Sequence, residues 1–402
     1  MTAHTSPYET KTAWLEVMLL WAAGISVAMQ FAKFSIAYDA LLIHYQEGAT
    51  LTGAAISVVG VVGLIFGVSA GVIVGRVGYR RSLIGALALG SMMSFLESLM
   101  PNFELMMVCR VIEGFSQLGV VVAAPTMIAR LSAPQHRSIT MGLWGTFFGV
   151  AFAISGLFGE MILRHYGMGS LFFAHGLFIG GVACVLFFRL ERNNTLYENQ
   201  SNTQQSKLLA QMSQVYRNPR NILPAAIFLF YTCMFVSLLT YIPRLVEDEH
   251  LRSIIRTCLP LMSIAGTFLA GTLSQYLMRP QNVAIMAYSV IAGSAIMLSF
   301  FTSAPVLFCI LAAVMVLSAG MVTGASMSMI PAIARNPNEQ AQTYGLVAQL
   351  GNLGSTIGPP SFATMLSLFG VQGLVALVLV FCVCGGGLSL IAKRFKNNSS
   401  SL

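Results

Sequence analysis

The sequence has 402 residues, 56% hydrophobic and 9% charged, with a mean hydropathy of +0.76; soluble domains are roughly a quarter charged, so an ordinary soluble globule is excluded. The apolar runs can cross a bilayer, for which about 20 residues suffice, and they are continuous rather than alternating, which excludes a β-barrel. The net charge of +8 lies in short loops and builds no long basic tract, which excludes nucleic acid as a partner.

The chain is expected to be an all-α polytopic membrane protein with twelve transmembrane helices, at roughly 14–40, 51–74, 82–100, 104–130, 138–163, 170–189, 221–245, 252–278, 282–301, 304–334, 341–368 and 371–392. Residues 1–13 are polar and the run after them is too long for a signal-peptide core, so no cleavable leader is expected. The longest polar connection, 190–220, splits the spans six and six. It gives an N-terminal bundle over 1–189, a linker over 190–220 and a C-terminal bundle over 221–402. Within the linker, Leu208, Leu209, Met212 and Val215 suggest a short amphipathic helix on the membrane surface.

Lys and Arg set the orientation. The tails and even-numbered loops hold 16 of the 22 basic residues, among them Arg76, Arg80, Arg81, Arg130, Arg137, Arg189 and Lys393. The opposite loops carry Glu47, Glu104, Glu247, Asp248 and Glu249. Basic loops stay cytoplasmic, so both termini are expected on the cytoplasmic side of a prokaryotic inner membrane.

In the first span Gln30, Lys33, Phe34 and Tyr38 share a helical face. The loop between spans two and three reads Gly71-Val-Ile-Val-Gly75-Arg76-Val-Gly78-Tyr-Arg80-Arg81. Gly71 and Gly75 permit close helix approach and Gly78 a tight turn, while the arginines suit headgroups and helix C-termini. Span four carries Arg110, Glu113, Gly114 and Gln117 on one face. Arg110 is placed about 9 Å and Glu113 about 14 Å below the outer start of that span. Ionisable groups at such depth mark a site by default; the bland alternative is an intrahelical Arg110–Glu113 brace, and the two roles can coexist.

Span seven supplies Tyr231, Tyr241 and Arg244, and span eight Arg256. Lys33, Arg110, Arg244 and Arg256 together suggest a basic vestibule for anions. The bland alternative has Lys33 snorkelling and each Arg pairing with Glu47, Glu97, Glu247 or Glu249. In span eleven Gln349 and Asn352 offer hydrogen bonds to a solute or act as interhelical glue. The same span holds Gly351, Gly354, Gly358, Pro359 and Pro360, which suit helix packing.

An internal echo runs through the chain at an offset of 203 residues, pairing Ala129 with Ala332, Pro134 with Pro337, Thr140 with Thr343, Gly142 with Gly345 and Tyr38 with Tyr241. One unit written twice in the same orientation implies pseudo-symmetry about the membrane normal, with the working site between the copies. The seven Cys fall inside apolar segments and the six His are dispersed. No metal site, cofactor fingerprint or catalytic constellation follows, so neither an enzyme nor an ATP-driven pump is expected.

These motifs resemble the major facilitator superfamily over the full length of the chain. Residues 71–81 look like its loop signature Gly-x-x-x-Asp-Arg-x-Gly-Arg-Arg, with Gly75 in place of the Asp, and 110–114 are similar to its Arg-x-x-Gln-Gly pattern. Span five has Gly145, Gly149, Gly156 and Gly159 but lacks the proline of the family's antiporter signature. The resemblance implies two pseudo-symmetric six-helix bundles, spans one, four, seven and ten around a central cavity, and alternating access. It also implies monomeric function and gating by the loop of Gly71, Gly75, Arg76, Gly78, Arg80 and Arg81. The expected activity is proton-coupled uptake of a small organic solute, anionic by preference. Glu113 would be the proton-responsive carboxylate, releasing Arg110 when protonated, with Arg110 and Lys33 meeting substrate charge. Efflux of drugs or metabolites by proton antiport is the alternative, and a receptor without transport a remote one.

Overall fold

The computed structural model describes residues 11–133, 136–190, 216–334 and 337–395, so the expected linker helix at Leu208–Val215 and the turn at Pro134 lie outside the described residues. Helices account for nearly all of these residues, with no strand among them. In chain order they are α1 (Trp14–Ile36), α2 (Tyr38–Tyr45), α3 (Ala49–Ser57), α4 (Val59–Val77), α5 (Tyr79–Ser98), α6 (Phe103–Leu131), α7 (Arg137–Gly145) and α8 (Phe147–Ile154). A π-turn at Ser155–Gly159 leads into α9 (Glu160–Arg189), followed by α10 (Pro219–Tyr241), α11 (Glu249–Tyr276), α12 (Pro280–Phe300), α13 (Pro305–Ile333) and α14 (Pro337–Ala392).

Among the described residues, 8 stretches can cross a membrane by length and apolarity, or 9 with the pair Ala49–Ser57 and Val59–Gly67, which is bent by 52°. Two of them hold two crossings each, because the chain breaks at Gly167 (φ 80°) and Gly370 (φ 59°). These glycines occupy backbone conformations that L side chains avoid, which is how each long helical stretch is kinked into two helices. Helix α5 supplies the remaining crossing; Arg80, Arg81 and Glu97 lower its apolarity. The twelve expected crossings are thus present, with the second, fifth and eleventh more broken or merged than the hydropathy pattern implied.

Capping fixes several ends. The side chains of Asn102, Asn218 and Asp248 accept backbone N–H groups at the starts of α6, α10 and α11. Gly78, at φ 97°, makes the tight turn into α5, as its type suggests.

Two compact units form, one from Met1–Lys33 with Val68–Thr203, the other from Phe34–Gly67 with Gln204–Leu402. The first unit's core joins Val17, Leu20 and Val27 of α1 to Leu83 and Leu87 of α5, Val120 and Met127 of α6, and Ile179 and Leu186 of α9. Trp144 belongs to this core, stacked on Phe147 at 4.6 Å. In the second unit α14 lies directly on α10, where a Cβ on Gly358 would collide with the Cys233 carbonyl, so small residues there serve packing.

Candidate functional site

The first unit buries a cluster of charges drawn from four helices. On each helix the contributing residues recur one turn apart: Ser26, Gln30 and Lys33 on α1, Ser94 and Glu97 on α5, Arg110, Glu113 and Gln117 on α6, Phe172 and His175 on α9. That spacing aims each set along a single stripe, so four stripes converge. They meet near the ends of α1 and α5 that are remote from Arg80 and Arg81.

Lys33 is the hub. Its Nζ donates to Ser94 Oγ at 2.8 Å, Glu97 Oε2 at 2.5 Å and Glu113 Oε1 at 2.7 Å, which uses all three ammonium hydrogens. The Phe172 ring lies 5.4 Å away. Glu113 is bidentate in effect, because its Oε2 accepts from the Arg110 guanidinium one turn earlier. The intrahelical brace is therefore present, and the same carboxylate reaches Lys33. The side chains of Lys33, Glu97, Arg110 and Glu113 are at most 1% exposed. Lys33 thus does not snorkel: a buried ammonium with two carboxylate partners gains more from them than from reaching a distant interface.

His175 closes the cluster from the fourth helix. Its Nε2 sits 2.8 Å from the Ser26 carbonyl oxygen, an acceptor only, so Nε2 carries the hydrogen of the neutral ring. Nδ1 faces Ser94 Oγ at 2.7 Å. Ser94 also lies 3.0 Å from Glu113 Oε1, and its single hydrogen can serve only one of the two. Gln30 donates to Ser116 Oγ at 3.2 Å, while Gln117 is buried with its Oε1 unpartnered. Two cations and two carboxylates leave the cluster without net formal charge when His175 is neutral.

The second unit gathers the other candidates differently. Tyr38 and Tyr241, the mates at the 203-residue offset, pack edge to face at 5.2 Å. Arg244 lies over both rings, 4.5 Å from Tyr38 and 5.9 Å from Tyr241, and donates to Asp39 Oδ1 at 2.6 Å. Asp39 was not among the acids Glu47, Glu97, Glu247 and Glu249 offered to the arginines in the bland alternative. The Tyr38 hydroxyl donates to the Ala49 carbonyl, that of Tyr241 to the Pro359 carbonyl, and Ser35 and Thr240 share a hydrogen bond of 2.7 Å.

Tyr231 packs between Phe228 and Phe235, and Arg256 is half-buried on α11. Gln349 accepts from Tyr216 and donates to the Leu64 carbonyl, which ties α14 to neighbouring elements, whereas Asn352 donates back to the Ala348 carbonyl of its own helix and packs against Gly63. In the first turn of α5, Arg80 donates to the Phe187 and Leu190 carbonyls at 2.6 and 2.9 Å and caps α9; Arg81 is exposed. Gly71, Gly75 and Arg76 belong to α4.

Sequence reasoning brought Lys33, Arg110 and Glu113 to the cluster and missed Ser94 and His175. Glu97 entered only as a partner for an arginine. An acid followed from Ser94 by one turn, inside an otherwise apolar span, was the available signal. A groove of about 660 Å³ along α5 and α9, lined by Met92, Phe95, Leu99 and Phe173, carries no charged side chain and is not this site.

Among known proteins, the family profile described as Major Facilitator Superfamily matches residues 20–359. The inner membrane transport protein YajR of Escherichia coli (strain K12) is 24% identical over 156 residues, 38% of this chain. The chain spans about a third of that relative's length, 34%. Among solved structures, a bacterial homologue of the human lysosomal transporter Spinster, inward-facing and occupied, superposes with a TM-score of 0.78 at 14% identity, covering 98% of this chain and 100% of that one. Its unoccupied inward-facing form gives 0.76 at 15% identity and 98% coverage of both chains.

Proposed function

This chain belongs to the major facilitator superfamily and is a multi-pass membrane transporter, and we propose that it takes up a small organic solute, anionic by preference, together with a proton. The supporting observation is the buried, charge-balanced set of Lys33, Glu97, Arg110, Glu113 and His175. Ionisable groups are expensive inside a bilayer and persist where they carry ions or protons. One added proton leaves the set with a net positive charge in a medium that screens poorly, and an anion removes that imbalance. Proton and anion are thereby favoured together. No cofactor enters this scheme.

The wider reading keeps two six-helix bundles, 1–189 and 221–402, working as a monomer by alternating access in a prokaryotic inner membrane with both termini cytoplasmic. Lys33, Arg110, Gln30 and Gln117 are the groups assigned in this reading to meet solute charge and polarity, and Arg256 and Tyr231 are secondary candidates. Tyr38, Tyr241 and Arg244 act as a latch closed by Asp39, because the two hydroxyls already donate to the Ala49 and Pro359 carbonyls and Arg244 to Asp39. The loop of Gly78, Arg80 and Arg81, with Gly71, Gly75 and Arg76, serves gating by holding the end of α9 to the start of α5.

Cation efflux by proton antiport is the second reading, favoured by the equal number of carboxylates and cations: a cationic solute could displace a proton held there. A thermal-shift screen of the purified protein against small mono- and polycarboxylic acids and against cationic drugs, at two pH values, separates the two. Stabilisation by acids, stronger at the lower pH, is expected. Stabilisation by cations alone would overturn uptake of an anion.

A further inference from the structure

Building on the proton-coupled reading, we propose that Glu97 is the group that accepts the coupling proton. Glu113 stays ionised as the fixed counter-ion of Lys33 and Arg110, and His175 positions the site through Ser94.

The two carboxylates differ in what already occupies their oxygens. Glu113 has an N–H donor on each, Lys33 on Oε1 and Arg110 on Oε2. A proton added to either oxygen would face a cationic donor aimed at the same lone pairs, so it could enter only by breaking an ion pair. Glu97 is bound through Oε2 alone, and its Oε1 is buried without a hydrogen-bond partner. A buried, unpartnered oxygen sharing a negative charge is costlier than the same atom as a neutral hydroxyl. A proton from water joining Glu97 Oε1 breaks no existing bond. Oε2 remains as a carbonyl acceptor for Lys33, and the cluster gains one positive charge.

The groups around Glu97 favour this division. Lys33 from α1 is in contact, Cys109, Arg110 and Glu113 approach from α6, and His175 from α9 joins through Lys33 and Ser94. Ser94 stands one turn before Glu97 on the same helix, receives Lys33 on its oxygen and turns its hydrogen to the ring nitrogen or to Glu113. With Nε2 held by the Ser26 carbonyl, neutral His175 fixes Ser94 in an orientation that keeps Lys33 between the carboxylates. His175 therefore acts on Glu97 without touching it, which makes it a positioning residue.

Protons are the only ligand the test needs. Infrared difference spectra of the full-length protein in detergent, recorded over a pH series in H₂O and D₂O, read the carbonyl band of a buried protonated carboxyl group directly. The native protein should gain such a band on acidification. The band should be lost in Glu97→Gln, kept in Glu113→Gln, and restored with a shifted titration midpoint in Glu97→Asp. His175→Asn should move the midpoint without removing the band, which a role confined to packing would not do. A band that survives Glu97→Gln and disappears in Glu113→Gln overturns the assignment while leaving proton coupling intact. Loss in both variants overturns the assignment to Glu97 alone. Absence of any such band from the native protein across the series defeats the proton-coupled reading as well.

Discussion

Replacing Lys33 by Met tests whether the cluster is held by its central cation. The ammonium lies 2.5 Å from Glu97 and 2.7 Å from Glu113, and at an effective dielectric constant of about 20 each unit pair attracts by about 6 kcal/mol. Removing each ion from water costs several kcal/mol, so the intact pairs contribute little net stability. Deleting one partner is a different matter. It strands two buried carboxylates with Arg110 as their sole close cation within the cluster, and such deletions cost about 3–5 kcal/mol. Lys33→Met should lose that amount in reversible unfolding from mixed micelles. Lys33→Met combined with Glu97→Gln should recover most of it, because Arg110 and Glu113 then balance. The combination with Glu113→Gln should recover less, because the hydrogen bond holding Glu97 comes from Lys33 itself. A loss below about 1 kcal/mol for Lys33→Met, or equal recovery in both double variants, would refute this account of the cluster.

Three further outcomes follow from the packing. Gly358→Ala should destabilise by about 1–3 kcal/mol in the same unfolding assay, because the new methyl meets the Cys233 carbonyl, while Gly387→Ala, with open space around it, should be near neutral. Arg244→Ala should cost about 1–2 kcal/mol, since it loses two ring contacts as well as Asp39; Asp39→Asn should cost under about 1 kcal/mol, the pair being 24% and 46% exposed. Arg80→Ala should raise amide hydrogen exchange in the last turn of α9, where it caps the Phe187 and Leu190 carbonyls, and Arg81→Ala should leave that turn unchanged.

Much of the frame was legible because membrane crossing imposes a local rule: long apolar runs become helices wherever the backbone must satisfy itself. Gly78 and the Arg110–Glu113 spacing were readable for the same reason, each depending on neighbours within a turn or two. The breaks at Gly167 and Gly370 were foreshadowed by the gaps between the predicted spans, whereas the 52° bend between Ala49–Ser57 and Val59–Gly67 was not, since hydropathy is blind to direction. The cluster itself was half legible. Lys33, Arg110 and Glu113 stood out as charges in apolar spans, but their partners come from helices 60 to 140 residues away, and no local pattern tells Lys33 to choose Glu97 and Ser94. Tyr38, Tyr241 and Arg244 show a related limit: polar side chains on one helix face look the same in sequence whether they await a solute or bond to the protein itself.

The excess of basic residues pointed at first to an anion site made of standing cations. In the folded unit Lys33 and Arg110 each face a carboxylate, so under the proposed uptake an anion site there is created by a proton rather than found ready-made. A site of that kind binds neither ligand well alone, and that is the thermodynamic content of symport: each raises the other's affinity by the same factor. Its size can be bounded. A unit negative charge about 5 Å from the uncompensated positive charge, at an effective dielectric constant of about 20, gains about 3 kcal/mol, or about 100-fold in affinity. Once a solute is identified, its affinity should therefore rise by about that factor from the pH at which Glu97 is ionised to the pH at which it is protonated, and Glu97→Gln should hold the affinity high throughout. An affinity that ignores pH in the native protein would place the coupling outside this cluster.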